Sequence, residues 1–187
     1  FVRQPLKDLT VWEPAANRGY MVRPLREHFG EVIGTDIYDY GAGFDTLDFL
    51  MPINPGFRPD LVWTNPPFKL AAQFVRRAMQ VSRIGCAVLV RGTWPESNQR
   101  YRLFREHPPT VVAQFVERVI MTKGRLLDPN LKYPDLKTGK LKKPSTATAY
   151  AWVVFLHGQT DTRWRHIPPC RKALERDGDY PSVEVAL

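Results

Sequence analysis

The chain has 187 residues, a formal charge of +8 and 43% hydrophobic residues, which suits one domain or one domain with an appendage. Plentiful aromatic and branched side chains exclude a chain disordered throughout, and two distant cysteines, Cys86 and Cys170, exclude a disulfide-stapled scaffold. No apolar run approaches the roughly 20 residues needed to cross a bilayer, and Pro168 and Pro169 break any helix that would bring His166 and Cys170 together as metal ligands.

Short apolar runs alternate with helix-like stretches. Thr10–Trp12 reads as a strand ending at Glu13-Pro14, and residues 20–29 as a helix with Pro24 early enough to be tolerated. Residues 31–36 are a second strand and 60–64 a third, which stops at Asn65-Pro66-Pro67. Residues 69–82 have helical spacing, with Leu70, Phe74, Val75, Ala78 and Met79 on one face. Residues 86–90 are continuously apolar, the mark of a strand buried on both faces of a parallel sheet. A helix over 96–107 and strands over 111–119 and 147–156 complete the series. Such alternation predicts an open, mostly parallel α/β sheet with helices on both faces. The last strands have no helix between them, which predicts an antiparallel edge. The Pro- and charge-rich stretch after His157 gives no clear element.

The charge is unevenly placed. Residues 1–70 carry 7 basic and 9 acidic side chains, and residues 71–187 carry 20 and 10. Residues 118–143 alone hold 8 basic and 2 acidic residues among Gly, Pro, Asn and Asp, and read as a long basic loop. Lys123, Arg125, Lys132, Lys137, Lys140, Lys142 and Lys143 are its candidate phosphate contacts. The other reading is a solvated loop whose lysines confer solubility. The chain opens on Phe1 rather than Met, which points to a trimmed start, and no leader segment follows. The cysteine usage fits a reducing compartment, so a cytoplasmic protein is expected.

In open α/β sheets ligands bind beyond the carboxyl ends of the strands, and three such ends carry unusual residues. The first strand ends in Glu13-Pro14-Ala15-Ala16-Asn17-Arg18-Gly19, whose small residues admit a close ligand. The second ends in Asp36, placed to bond ribose hydroxyls, although a lone acid there also serves as an ordinary turn residue. The third ends in Asn65-Pro66-Pro67-Phe68. Two prolines fix the turn, so the Asn65 amide and the Pro66 carbonyl become a rigid acceptor pair for an exocyclic NH2 group, with Phe68 as a stacking face. Thr93 and Trp94 follow the next strand end and are candidates for the pocket wall, with packing an equal reading for Trp94. Tyr150 reads as core.

These motifs, in order along residues 11–91 with weaker support to about residue 156, resemble the class I S-adenosylmethionine-dependent methyltransferases, most closely the adenine-N6 DNA methyltransferases. The resemblance implies a Rossmann-like fold and catalytic roles for Asn65, Pro66, Pro67 and Phe68. It implies cofactor contacts from Glu13, Pro14, Ala15, Asn17, Gly19, Asp36, Ile37, Asp48, Phe49 and Asn65, with Ile37 packing on the cofactor adenine and Asp48-Phe49 at its edge. Asn17 stands where the family has the first glycine of the cofactor loop. The resemblance implies a catalytic unit over residues 1–160 with a basic insertion at about 123–146, and a C-terminal extension over 161–187. Its expected partners are S-adenosylmethionine and DNA, with no metal and no membrane. RNA adenine, a protein glutamine amide, or nucleic-acid binding without catalysis are the alternatives.

Overall fold

The computed structural model describes residues 4–52, 54–122, 126–135 and 138–180. Lys123, Arg125 and Lys137 lie outside them. The main sheet comprises eight strands: β1 (Thr10–Glu13), β2 (Glu31–Asp36), β3 (Asp45–Thr46), β4 (Leu61–Thr64), β5 (Gly85–Arg91), β6 (Val111–Phe115), β9 (Tyr150–Leu156) and β10 (Arg163–Ile167). Between β6 and β9 the chain makes a small separate hairpin, β7 (Tyr133–Pro134) with β8 (Leu141–Lys142). The order across the main sheet is β10-β6-β9-β5-β4-β1-β2-β3. All its pairings are parallel except those of β9, which runs antiparallel to both β5 and β6.

The antiparallel pairing falls among the last strands, as the missing helix there required. The sheet continues past residue 160, because β10 adds to the far side of β6. β10 and β3 were not legible as strands, and neither was the β7–β8 hairpin.

The long apolar run of β5 lies between two neighbours and is buried from Gly85 to Val90. Helix α2 (Ala71–Val81) covers one face, burying Ala71, Ala72, Phe74, Val75, Ala78 and Met79 at helical spacing. Each large apolar side chain so buried stabilises the fold by roughly 1.5–3 kcal/mol. Helix α3 (Asn98–Glu106) joins α2 there through Leu103 and Phe104. Its start is capped by Ser97, whose hydroxyl accepts from the Arg100 N–H at 3.3 Å, a contact typically worth about 1 kcal/mol. Helix α1 (Val22–His28) covers the opposite face through Val22 and Leu25, which pack with Leu9, Val11 and Leu61. Pro24 sits in its first turn, where the missing N–H costs nothing. A one-turn helix, α4 (Arg171–Leu174), follows β10, and Arg176 beyond it grips Glu27 of α1 through two bonds of 2.8 and 2.7 Å.

Parallel strands point their carboxyl ends the same way, so β1, β2 and β4 deliver their terminal residues to one end of the sheet. No helix among the described residues is long and apolar enough to cross a membrane.

Candidate active site

A cleft of about 590 Å3 opens at that end. Pro14, Ala15 and Asn17 from the turn after β1 line it, with Asp36 and Ile37 from the end of β2 and Asp48 and Phe49 from the segment before β4. Asn65, Pro66, Pro67 and Phe68 line it from the turn after β4. The three strand-end motifs singled out in the sequence therefore line one cavity together with Asp48-Phe49, although 54 positions separate Pro14 from Phe68.

The turn after β1 is built by hydrogen bonds to β2. Ala16 N–H donates to Thr35 O at 2.9 Å, and Asn17 N–H donates to Asp36 Oδ2 at 2.9 Å. Asn17 adopts φ 49°, the left-handed conformation that glycine takes freely and that asparagine tolerates better than most other residues. Gly19 closes the turn at φ +80° with the Phe44 ring against it, and does not line the cleft.

Asp36 is held on both oxygens. Oδ2 takes the Asn17 N–H and Oδ1 takes the Tyr38 N–H at 3.1 Å, which fixes its orientation and leaves further lone pairs for another donor. Ile37 beside it is 66% exposed, an open apolar surface on the cleft wall. Phe49 is locked edge-on against Trp12, with ring centres 4.9 Å apart, and touches Phe74 on its other side. Asp48 Oδ1 accepts from the Leu50 N–H at 2.9 Å, closing a tight turn that carries both residues.

Glu13 does not reach the wall. It is fully buried beneath the turns, where its Oε1 accepts from the Ala15 N–H at 2.9 Å, with Thr64 and Asn65 beside it. It is thus placed to tie the β1 turn to the β4 turn. Burial pushes its carboxyl up to about 8, opposed by hydrogen bonding from Thr64, Ala15 and Asn65 and reinforced by the charge of Asp36. The native state therefore prefers the protonated acid. This preference favours folding fully below the ordinary value of 4.5, and it is lost as pH rises towards about 8. The thermal midpoint of the wild type is expected to fall across that window, and Glu13→Gln, which cannot ionise, should flatten the fall. Parallel melting curves from pH 4.5 to 8.5 would show no difference in slope if Glu13 were ionised in the fold.

At the other end of the cleft Asn65 is half-buried, Pro66 buried and Pro67 exposed. Among the described residues no protein group bonds the Asn65 side-chain amide. The Phe68 ring lies 5.9 Å from Tyr150, and the Arg91 guanidinium sits 5.2 Å above its centre. Tyr150 and Arg91 both line the cleft, as do Tyr40, Met121 and Thr122, and none of these was singled out from sequence as part of the site. Trp94 is not in the wall. It is 7% exposed and packs on Phe104, with Arg100 over its ring.

Met121 and Thr122 also border a second hollow of about 400 Å3, walled by the β7–β8 hairpin. Lys132, Lys140, Lys142 and Lys143 are exposed around that hairpin, and Lys142 pairs with Asp135. Among the described residues no cluster of His, Cys, Asp and Glu has the makings of a metal site. Cys86 is an inert buried thiol in β5, its ionisation opposed by desolvation.

No protein-family model matches the chain, and no curated protein matches it in sequence. Solved structures match it in three dimensions. A Pyrococcus horikoshii protein assigned as an RNA methyltransferase superposes with a TM-score of 0.51 at 15% identity, over 81% of this chain and 75% of that one. An Agrobacterium tumefaciens protein assigned as an O-methyltransferase gives 0.51 at 10% identity, over 90% and 82%. A Thermoplasma acidophilum structure gives 0.52 at 16% identity, over 82% and 78%. At such identities the likeness is one of architecture, and the chain has the Rossmann-like fold found in methyltransferases.

Proposed function

We propose that this protein is an S-adenosylmethionine-dependent methyltransferase acting on the N6 amino group of adenine in DNA. The observation that carries the proposal is the rigid Asn65-Pro66-Pro67-Phe68 turn, which shares one cleft with the Asp36 and Asp48 carboxylates. The cleft's chemistry fits the cofactor. Its acidic end suits a ribose diol and a cationic ligand, Ile37 and Phe49 supply an apolar slot for a purine, and Ala15 and Asn17 bring backbone close. Its volume lies in the range of small-molecule sites. When bound there, S-adenosylmethionine supplies an activated methyl group on a sulfonium.

The chain's own task is to orient the acceptor nitrogen. An aromatic NH2 group is a weak nucleophile because its lone pair is shared with the ring. The Asn65 side-chain oxygen and the Pro66 carbonyl would accept its two N–H bonds and favour a tetrahedral nitrogen with a free lone pair. That lone pair would then be available to take the methyl group, the methyl–sulfur bond breaking as the N–C bond formed and the surplus proton leaving for water. No strong base is needed, so the rate comes from positioning and electrostatics. Phe68 would hold the base by stacking. In a duplex the base must first swing out of the helix, at a cost of a few kcal/mol.

The basic segment between β6 and β9 would hold the phosphate backbone. Binding to DNA is then expected to weaken steeply with salt, and replacing Lys132, Lys140, Lys142 and Lys143 by glutamine should flatten the slope of log affinity against log salt by up to ~4. An unchanged slope would return these lysines to a solubilising role.

The direct test incubates the protein and cofactor with unmethylated DNA, RNA and protein extracts, followed by mass analysis of the nucleosides and amino acids. N6-methyladenine in DNA supports the proposal. The mark in RNA, or on a glutamine amide, would move the reaction to that substrate, and no mark with no cofactor binding would leave a nucleic-acid-binding protein.

A further inference from the structure

The two ends of the cleft carry opposite charge. Asp36 and Asp48 stand at the end assigned to the cofactor, and Arg91 stands at the end of the acceptor turn. Arg91 is the last residue of β5 and the only exposed one in that strand. The antiparallel register sets it directly opposite Tyr150 on β9, and both side chains meet the Phe68 ring. The pair is firmly seated. Gly92 N–H donates to Ala149 O at 2.8 Å, and Gln114 Nε2 donates to Tyr150 O at 2.7 Å.

What Arg91 lacks is an anion. Among the described residues no carboxylate pairs with it, and its contact is an aromatic face. Most arginines near α2 and α3 cover the protein surface or pair with acids, as Arg76 does with Glu106 at 2.8 Å. A guanidinium held over a ring by about 0.5–1 kcal/mol of cation–π attraction is placed but not neutralised. A ring stacked on Phe68 would put its own substituents beside that guanidinium. A planar fork of donors is the usual partner of a phosphate or carboxylate oxygen pair.

We propose that Arg91 forms an anion subsite in the acceptor end of the cleft, and that it binds the phosphodiester next to the target nucleotide. This rests on the reading of the cleft as an adenine methyltransferase site, and it separates substrates that the Asn-Pro-Pro-aromatic turn does not. A nucleotide brings an anion to Arg91, whereas a glutamine side chain brings none. Arg91 then acts in substrate selection, apart from the acceptors that touch the reacting nitrogen.

The test uses the full chain with short adenine-containing oligonucleotides. In one set the phosphate on either side of the target is replaced, singly, by an uncharged methylphosphonate. With the normal oligonucleotide Arg91→Ala is expected to raise KM by tenfold or more with kcat changed far less, and Arg91→Lys to fall between. With the methylphosphonate at the contacted position, wild type should be weakened and Arg91→Ala should cause no further loss. Effects that multiply at both positions would overturn the phosphate contact and leave Arg91 as a support for Phe68. A fall in kcat at constant KM would do the same. Melting curves and cofactor titration of the variants separate misfolding from lost recognition. Absence of any methylated adenine with wild type would instead reject the underlying reading, so the two failures are distinguishable.

Discussion

Asn65→Ala is expected to lower methyl transfer to adenine by about a hundred- to a thousandfold, the usual loss when one preorganised polar group is removed from a reacting centre. The side chain is half-buried in the cleft wall and no described protein group bonds it, so its loss removes an acceptor from the substrate without unmaking the fold. Asn65→Asp keeps an oxygen in the same place and should retain most of the turnover. Single-turnover rates with labelled cofactor measure both. Asn65→Ala with near-wild-type turnover would reject the proposed chemistry, because the Pro66 carbonyl alone does not hold both N–H bonds.

The largest effect on stability is expected at Gly85, where β5 begins. Its φ of +151° lies where side chains are rarely accommodated, and a Cβ there would stand 2.0 Å from the Phe155 carbonyl oxygen and 2.9 Å from Leu156 Cα. Both atoms are backbone of β9, paired in register with Gly85, so neither can turn aside. Gly85→Ala must push two central strands apart and should cost about 4 kcal/mol or more, a large share of the roughly 5–15 kcal/mol that holds a typical domain together. Gly41→Ala is the control. It shares a positive φ, +68°, but has nothing within 4 Å of the added carbon, and should cost only about 1–2 kcal/mol. Urea unfolding of the two variants makes the comparison, and similar midpoints would show that β5 and β9 are not packed as described.

The order and type of the main elements were legible because their burial follows simple patterns. β5 is apolar throughout since both faces are covered, and α2 repeats its apolar residues at helical spacing. β10 defeated the same reasoning. Arg163, Trp164, Arg165 and His166 are all exposed, so no alternation marks the strand, and its backbone pairing to β6 leaves no trace in side-chain type. The edge position explains the charge, since basic residues discourage further strand addition.

The site was legible wherever a strand end imposed a fixed geometry. Asp36 ends β2 and Asn65 directly follows β4, and the fold brings their turns to one cleft. Arg91 and Tyr150 escaped notice for opposite reasons. A cation ending a strand reads as solvent-facing, and an aromatic in an apolar strand reads as core. Tyr150 is in fact both buried and part of the wall. Tyr40, Met121 and Thr122 come from loops, whose approach to the cleft depends on distant pairings that local patterns do not encode.

The place of β9 bears on how the molecule comes into being. Among the described residues β6 pairs only with β9 and β10, and both are encoded after it. A chain emerging from the ribosome can assemble β1 to β5 with α1 and α2 as soon as residue 91 is free, but β6 then waits through the whole basic segment for β9 to arrive. Until Tyr150–Leu156 slots between β5 and β6, the inner edge of β5 stays open and Phe68 lacks its tyrosine neighbour. Non-local strand insertion of this kind is slow and leaves sticky edges exposed. The acidic end of the cleft is thus complete once β1 to β5 have assembled, and the acceptor end is finished only when β9 arrives.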